Sequence, residues 1–102
     1  MDDKEQVLID TADVRVRVLV LGPDEAVAWH THTEVVDHIF CLEGELAVFF
    51  RDPKEEIHLR PGQHCQVRRL RAHRVANLGR SPGKYLLVQG IGRYDFNLLD
   101  PS

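Results

Sequence analysis

The sequence predicts an all-β fold, a single-domain sandwich or barrel, on three observations. The run VRVRVLVL alternates with period two and is rich in β-branched residues, which marks a strand. Further apolar runs recur at roughly eight-to-twelve-residue spacing, each closed by turn residues, as in sandwiches and barrels. No stretch of ten or more residues carries apolar side chains at helical spacing.

The elements follow in order. The N-terminal DDKEQVLID offers at most a single helical turn. Across Val14 to Leu21, the valines 14, 16, 18 and 20 are expected to form the core face. The other face begins in water at Arg15 and Arg17 and becomes buried at Leu19 and Leu21. GPDE, from Gly22 to Glu25, is turn chemistry. His38 to Leu42 ends at EGE, a hairpin turn placed at Gly44. Leu46 to Phe50 is broken by RDPKE, and Glu56 to Leu59 by RPGQ. Cys65 to Val67 is short, and Arg74 to Asn77 runs into the strong turn LGRSPGK. Tyr85 to Gln89 is continuous enough for a strand covered on both faces. GRYDFNLL closes the chain as a last strand or tail, with no chemical role evident for GRYDF. The expected organisation over 1–102 is an N-terminal segment (1–12), a barrel (14–92) and a C-terminal strand or tail (93–102). No repeat or low-complexity segment interrupts it.

The chain has 102 residues, 43 % hydrophobic and 28 % charged, with a net charge of -3 that argues against nucleic-acid binding. Two cysteines, Cys41 and Cys65, fit no small secreted scaffold and are expected as reduced thiols. The acidic start MDDKEQVLID has no apolar signal region, and no run is long enough to span a membrane. A cytoplasmic protein is the expectation.

The stretch WHTHTEVVDHIFCLEGEL concentrates ionisable groups where strands should bury a face. His30 and His32 are one residue apart, so on a strand both imidazoles share a face, a natural seat for a metal. By parity on a continuous strand, Glu34 would join them. His38 should face opposite to its neighbour Asp37, packed or exposed. His58 falls on the polar side of EEIHL, and Cys41 and Cys65 are core fillers first. The run RRLRAHR puts arginines 68, 69, 71 and 74 together, as a solvated edge or as a rim for an anionic, carboxylate-bearing ligand. Phe40, Phe49, Phe50 and Phe96 read as core or interface.

Two spacings carry a resemblance. His30 and His32 are followed by four residues and Asp37, and six further residues reach Gly44. Gly62 is followed by Arg68, Leu70, His73 and Asn77, after the PGQ turn. Together they resemble the two motifs of the cupin superfamily, in its small single-domain, conserved-barrel members. The resemblance covers about residues 14–92. Departures are Asp37 for the usual glutamate, Arg68 for proline, Leu70 for glycine and Gln63 at the acid position of the turn. The resemblance implies a double-stranded β-helix, a jelly-roll barrel. It implies that His30, His32, Asp37 and His73 converge on one divalent transition metal (Zn, Fe, Mn, Ni or Cu). The family bend after HxH favours Asp37 over Glu34. Asp is one carbon–carbon bond shorter than Glu, about 1.5 Å, so Asp37 is a direct ligand or an outer partner of a three-histidine site.

Trp29, beside the first ligand, His64 near the cavity mouth, Arg68 and the inward-parity Cys41 are candidate substrate-binding residues. The implied function is a small metal-binding cupin. It is read as a dioxygenase-like enzyme, or an isomerase or lyase, acting on a small chelating substrate. The alternative is a non-catalytic cupin whose metal anchors a ligand or stiffens the barrel. Exposed edges and apolar faces suggest a homodimer.

Overall fold

The computed structural model describes residues 4–101. Ten strands run in order: β1 (Glu5–Asp10), β2 (Val14–Leu21), β3 (His30–Thr31), β4 (Val36–Glu43) and β5 (Leu46–Phe50), then β6 (Glu55–Leu59), β7 (His64–Val67), β8 (His73–Asn77), β9 (Gly83–Gly90) and β10 (Asn97–Leu98). They form two five-stranded antiparallel sheets, β1-β2-β9-β4-β7 and β10-β3-β8-β5-β6. No helix occurs among the described residues. This is the all-β, double-stranded β-helix expected from the sequence.

Between the sheets lies one apolar cluster, with Ile39 and Cys41 from β4, Leu46, Val48 and Phe50 from β5, and Tyr85 and Leu87 from β9. Cys65 and Val67 join it from β7, so both cysteines are buried free thiols filling core space. Burial of such side chains is worth roughly 1.5–3 kcal/mol each, which gives the sheets their reason to face one another.

Three expectations need correcting, for β2, β9 and β1. The first concerns β2, whose valines face outward, half-buried, whereas Arg17 is buried and Leu19 and Leu21 pack on the core. Period two defines two faces without saying which is inner; pairing decides it. Arg17 lies opposite Leu87 and Leu19 opposite Tyr85, and both β9 partners point inward. Within β9 itself, Tyr85, Leu87 and Gln89 are buried while Leu86 and Val88 are only half-covered, so the strand is not fully enclosed. The third is β1, a strand rather than a helical turn. It is stabilised by non-local pairing with β2, from Glu5↔Leu19 to Asp10↔Arg15.

Turns hold the sheets in register. Gly44, between β4 and β5, has φ of +84°, and a Cβ there would come 3.1 Å from the Gly83 Cα. In the PGQ turn, the Arg60 N–H donates to Gln63 Oε1 at 2.8 Å, so an amide fills the role expected of the acid. Asn77, 3 % exposed, ties three segments together. Its Nδ2 donates to the carbonyls of Leu21, Gly22 and Ser81, and its Oδ1 accepts from the Gly79 N–H.

Candidate metal centre

The two sheets bring their polar inward side chains together at one place. On one sheet, His30 of β3 lies directly opposite His73 of β8. On the other, Asp37 of β4 lies opposite Gln89 of β9. The chain leaves β3 after Thr31 and turns before β4 begins at Val36. This bend carries His32 back over the same spot. His30, His32, Asp37 and His73 are 5 %, 3 %, 2 % and 1 % exposed, and their ligand atoms lie within 4.8 Å of one another. The bend also leaves Glu34 outside the group. Glu34 is exposed, and its carboxylate accepts from the Arg93 N–H at 3.1 Å.

Backbone carbonyls orient all three imidazoles. The Nδ1 of His30, His32 and His73 meets the carbonyl of Ala28, Asp95 and Arg71 at 2.7, 2.6 and 2.8 Å. A carbonyl only accepts, so each Nδ1 carries the proton and each Nε2 presents a lone pair. Two of those lone pairs point at one carboxylate oxygen. Asp37 Oδ2 is 2.9 Å from His73 Nε2 and 3.2 Å from His32 Nε2. Electron-rich atoms converging in a buried site need a cation between them, a proton or a metal. Ligand atoms bound about 2.0–2.2 Å from one metal lie roughly 3–4 Å apart, so the group needs little adjustment to hold one.

Burial pushes the His30 imidazole down to about 4, leaving it neutral at pH 7. Burial also lowers His32, but hydrogen bonding and attraction from Asp37 outweigh it and leave the net shift upward. At Asp37 burial works upward, and hydrogen bonds from His32 and His73, which need a proton on Nε2 where a metal would otherwise sit, override it and hold the carboxyl well below the usual range.

Gln89, 1 % exposed, supports the carboxylate from the other side. Its Nε2 donates to Asp37 Oδ1 at 3.0 Å, leaving Oδ2 to the histidines. Its Oε1 accepts from Arg17 Nη2 at 2.9 Å, and Arg17 Nη1 donates to Glu5 Oε2 at 2.9 Å. Four polar groups thus run from the surface to the centre.

A cavity of about 100 Å³ opens onto the four clustered residues, with Arg17, Gln89, Tyr85 and Tyr94 as its other polar lining. Leu19, Val27, Val75, Leu87 and Phe96 supply its apolar walls. Phe96 stacks on His30 at 4.2 Å, and Tyr94 is 5.6 Å from His32.

The four residues expected from the sequence to bind substrate lie elsewhere. Trp29 neighbours His30 and points the opposite way, with the guanidinium of Arg51 4.2 Å from its ring. Cys41 faces inward but lies within the apolar cluster. Arg68 is exposed beyond the end of β7, in a hollow shared with Arg51 and Arg69. His64 points outward from β7, stacked on Phe40 at 4.5 Å and on His38 at 5.5 Å. None of them lines the cavity. Arg17, Gln89, Tyr94 and Phe96 do, and sequence reasoning passed over all four. The i, i+2 aromatics of GRYDF were the available signal for the last two.

The family model for the cupin domain matches residues 17–89. No curated protein matches the chain. Among solved structures, one similar chain is an uncharacterized conserved protein with a double-stranded β-helix domain from Klebsiella pneumoniae. It has 22 % identity and a TM-score of 0.82, over 98 % of this chain and 88 % of that one. The polyketide cyclase RemF from Streptomyces resistomycificus has 20 % identity and a TM-score of 0.80, over 96 % and 71 %. An oxalate oxidase has 14 % identity and a TM-score of 0.80, over 97 % of this chain and 57 % of its own. At these identities the likeness is one of fold.

Proposed function

This chain belongs to the cupin family, and from that premise we propose that His30, His32, Asp37 and His73 hold one divalent transition metal. We propose further that the protein is a metal-dependent, dioxygenase-like enzyme acting on a small chelating organic substrate. The observation that carries this reading is the convergence of Asp37 Oδ2 with imidazoles whose Nδ1 atoms are all tied to carbonyls. Three neutral nitrogens and one carboxylate suit Zn²⁺, Fe²⁺, Mn²⁺, Ni²⁺ or Cu²⁺. Such a metal, once bound, supplies Lewis acidity or, if redox-active, access to O₂ chemistry.

The chain's own residues do the rest. The backbone carbonyls fix the imidazole tautomers, and Gln89 fixes the rotation of the Asp37 carboxylate. Leu19, Val27, Val75, Leu87 and Phe96 keep bulk water off the centre and limit the size of what enters. Burial raises the Tyr85 hydroxyl far above its ordinary range, so it serves as a neutral donor and not as a base.

One observation favours a second reading, a non-catalytic ligand-binding cupin. Among the described residues, the cavity lining outside the four clustered ones holds no carboxylate, histidine or lysine to move a proton. The test is elemental analysis of protein purified without added metal, paired with O₂-electrode assays on diketones, catechols and thiols. Stoichiometric iron, nickel or copper with O₂ uptake supports the enzyme. Zinc with no turnover supports the binding protein, and no metal at all overturns both.

A homodimer is also proposed. Strand β1 is a sheet edge whose Val7, Leu8 and Ile9 are each about half exposed, and the outer sheet face adds Phe40 and the β2 valines. A second copy would cover this face, and a gel-filtration peak at the monomer mass at micromolar concentration would refute it. A cytoplasmic location remains part of the proposal; among the described residues no helix is long and apolar enough to cross a membrane.

A further inference from the structure

The buried arginine beside the centre calls for an explanation. Arg17 is 8 % exposed, it lines the cavity, and among the described residues it is the only cation there outside the clustered ones. Only two of its bonds are made to side chains, Nη1 to Glu5 and Nη2 to Gln89. Its Nε is buried with no hydrogen-bond partner among the described residues. A guanidinium has five N–H donors in a planar fork, and the acceptor that matches this fork is a carboxylate. Desolvating a cation and leaving a donor idle is costly unless a ligand completes it.

Size narrows the ligand. A cavity of about 100 Å³ is smaller than one that accepts benzene, which is roughly 150 Å³. Apart from Arg17, Gln89, the two tyrosines and the clustered residues, the walls are apolar. One carboxamide, that of Gln89, separates the guanidinium from the Asp37 carboxylate. A molecule of a few heavy atoms therefore spans from Arg17 to the centre.

We infer that the cavity selects small organic carboxylates of about two to four carbons, anchored through Arg17, with Glu5 as the competing internal anion. This deepens the metal-site proposal and rests on it for the position of the ligand. Glu5 is the one carboxylate paired with Arg17, and its side chain is 39 % exposed at the outer end of the chain of polar groups. It neutralises the guanidinium when no ligand is bound and yields part of that charge when one is.

The test is isothermal titration calorimetry with pyruvate and with pyruvamide, its neutral isostere. Both go into the full-length protein, with zinc, iron, manganese, nickel and copper content measured on the same samples. Pyruvate is expected to bind at least about tenfold more tightly than pyruvamide. Arg17→Gln should abolish that preference, whereas Glu5→Gln, which removes the competing anion, should keep or sharpen it. Equal binding of the two probes by the parent protein overturns the inference, as does an undiminished preference in Arg17→Gln. The two proposals fail separately. Protein that takes up none of zinc, iron, manganese, nickel or copper but prefers pyruvate loses the metal reading and keeps this one. Zinc-loaded protein that binds both probes alike does the reverse.

Discussion

Replacing Gln89 with leucine should weaken both the fold and metal binding. Gln89 is 1 % exposed and bridges two charged groups, accepting from Arg17 Nη2 at 2.9 Å and donating to Asp37 Oδ1 at 3.0 Å. Hydrogen bonds to charged groups contribute about 1.5–3 kcal/mol each, so losing two costs about 3–6 kcal/mol. Leucine recovers roughly 1–2 kcal/mol through added apolar burial. The net expectation is a destabilisation of about 2–4 kcal/mol, read from urea unfolding of the metal-free protein. The Asp37 carboxylate is then free to rotate, so zinc affinity should drop about 10–100-fold in competition with a chromophoric chelator. A stability change under about 0.5 kcal/mol with unaltered zinc affinity would refute the claim that Gln89 holds the ligand carboxylate.

Other consequences can be checked with the same protein. Removing metal with a chelator should lower the melting temperature, because a ligand bound only by the folded form stabilises it by mass action; an unchanged melting curve would count against a buried metal. Burial pushes the Cys65 thiol up to about 11 and raises Cys41 as well. Thiolate is the reactive form, so at pH 8 both should resist a disulfide reagent in native protein and react promptly in urea. Fast native labelling would contradict their placement in the core. Gly44→Ala should cost about 1–3 kcal/mol in urea unfolding, since φ is +84° and the new Cβ would lie 3.1 Å from the Gly83 Cα. A neutral effect there would mean that the β4–β5 turn is built differently.

The sequence told most where local pattern and spacing sufficed. Period two exposed β2, and the turn residues delimited β4 to β9 to within about two residues. The two motif spacings singled out the four side chains that the fold brings together. Parity along β4 placed Asp37, Ile39 and Cys41 on one face and His38 on the other. What could not be read depended on pairing between distant strands. The inner face of β2 is set by its register with β9, and the strand character of β1 by its neighbour. Gln89 reaches the centre only because β9 lies opposite Asp37. Tyr94 and Phe96 reach it because the chain beyond β9 folds back, placing β10 against β3 and the Asp95 carbonyl on His32. The substrate-binding expectations for Trp29, His64 and Arg68 relied on closeness to the motifs along the chain. Alternation along β7 sends the side chain of His64 away from the cavity, Trp29 lies before β3 begins with its ring against Arg51, and Arg68 lies past the end of its strand.

The most direct measurement is an anomalous-scattering map from crystals of protein purified without added metal. A single strong peak is expected inside the barrel, about 2.0–2.3 Å from the Nε2 atoms of His30, His32 and His73 and from Asp37 Oδ2. A map with no peak among these four side chains, or with its peak on some other group, would contradict that expectation.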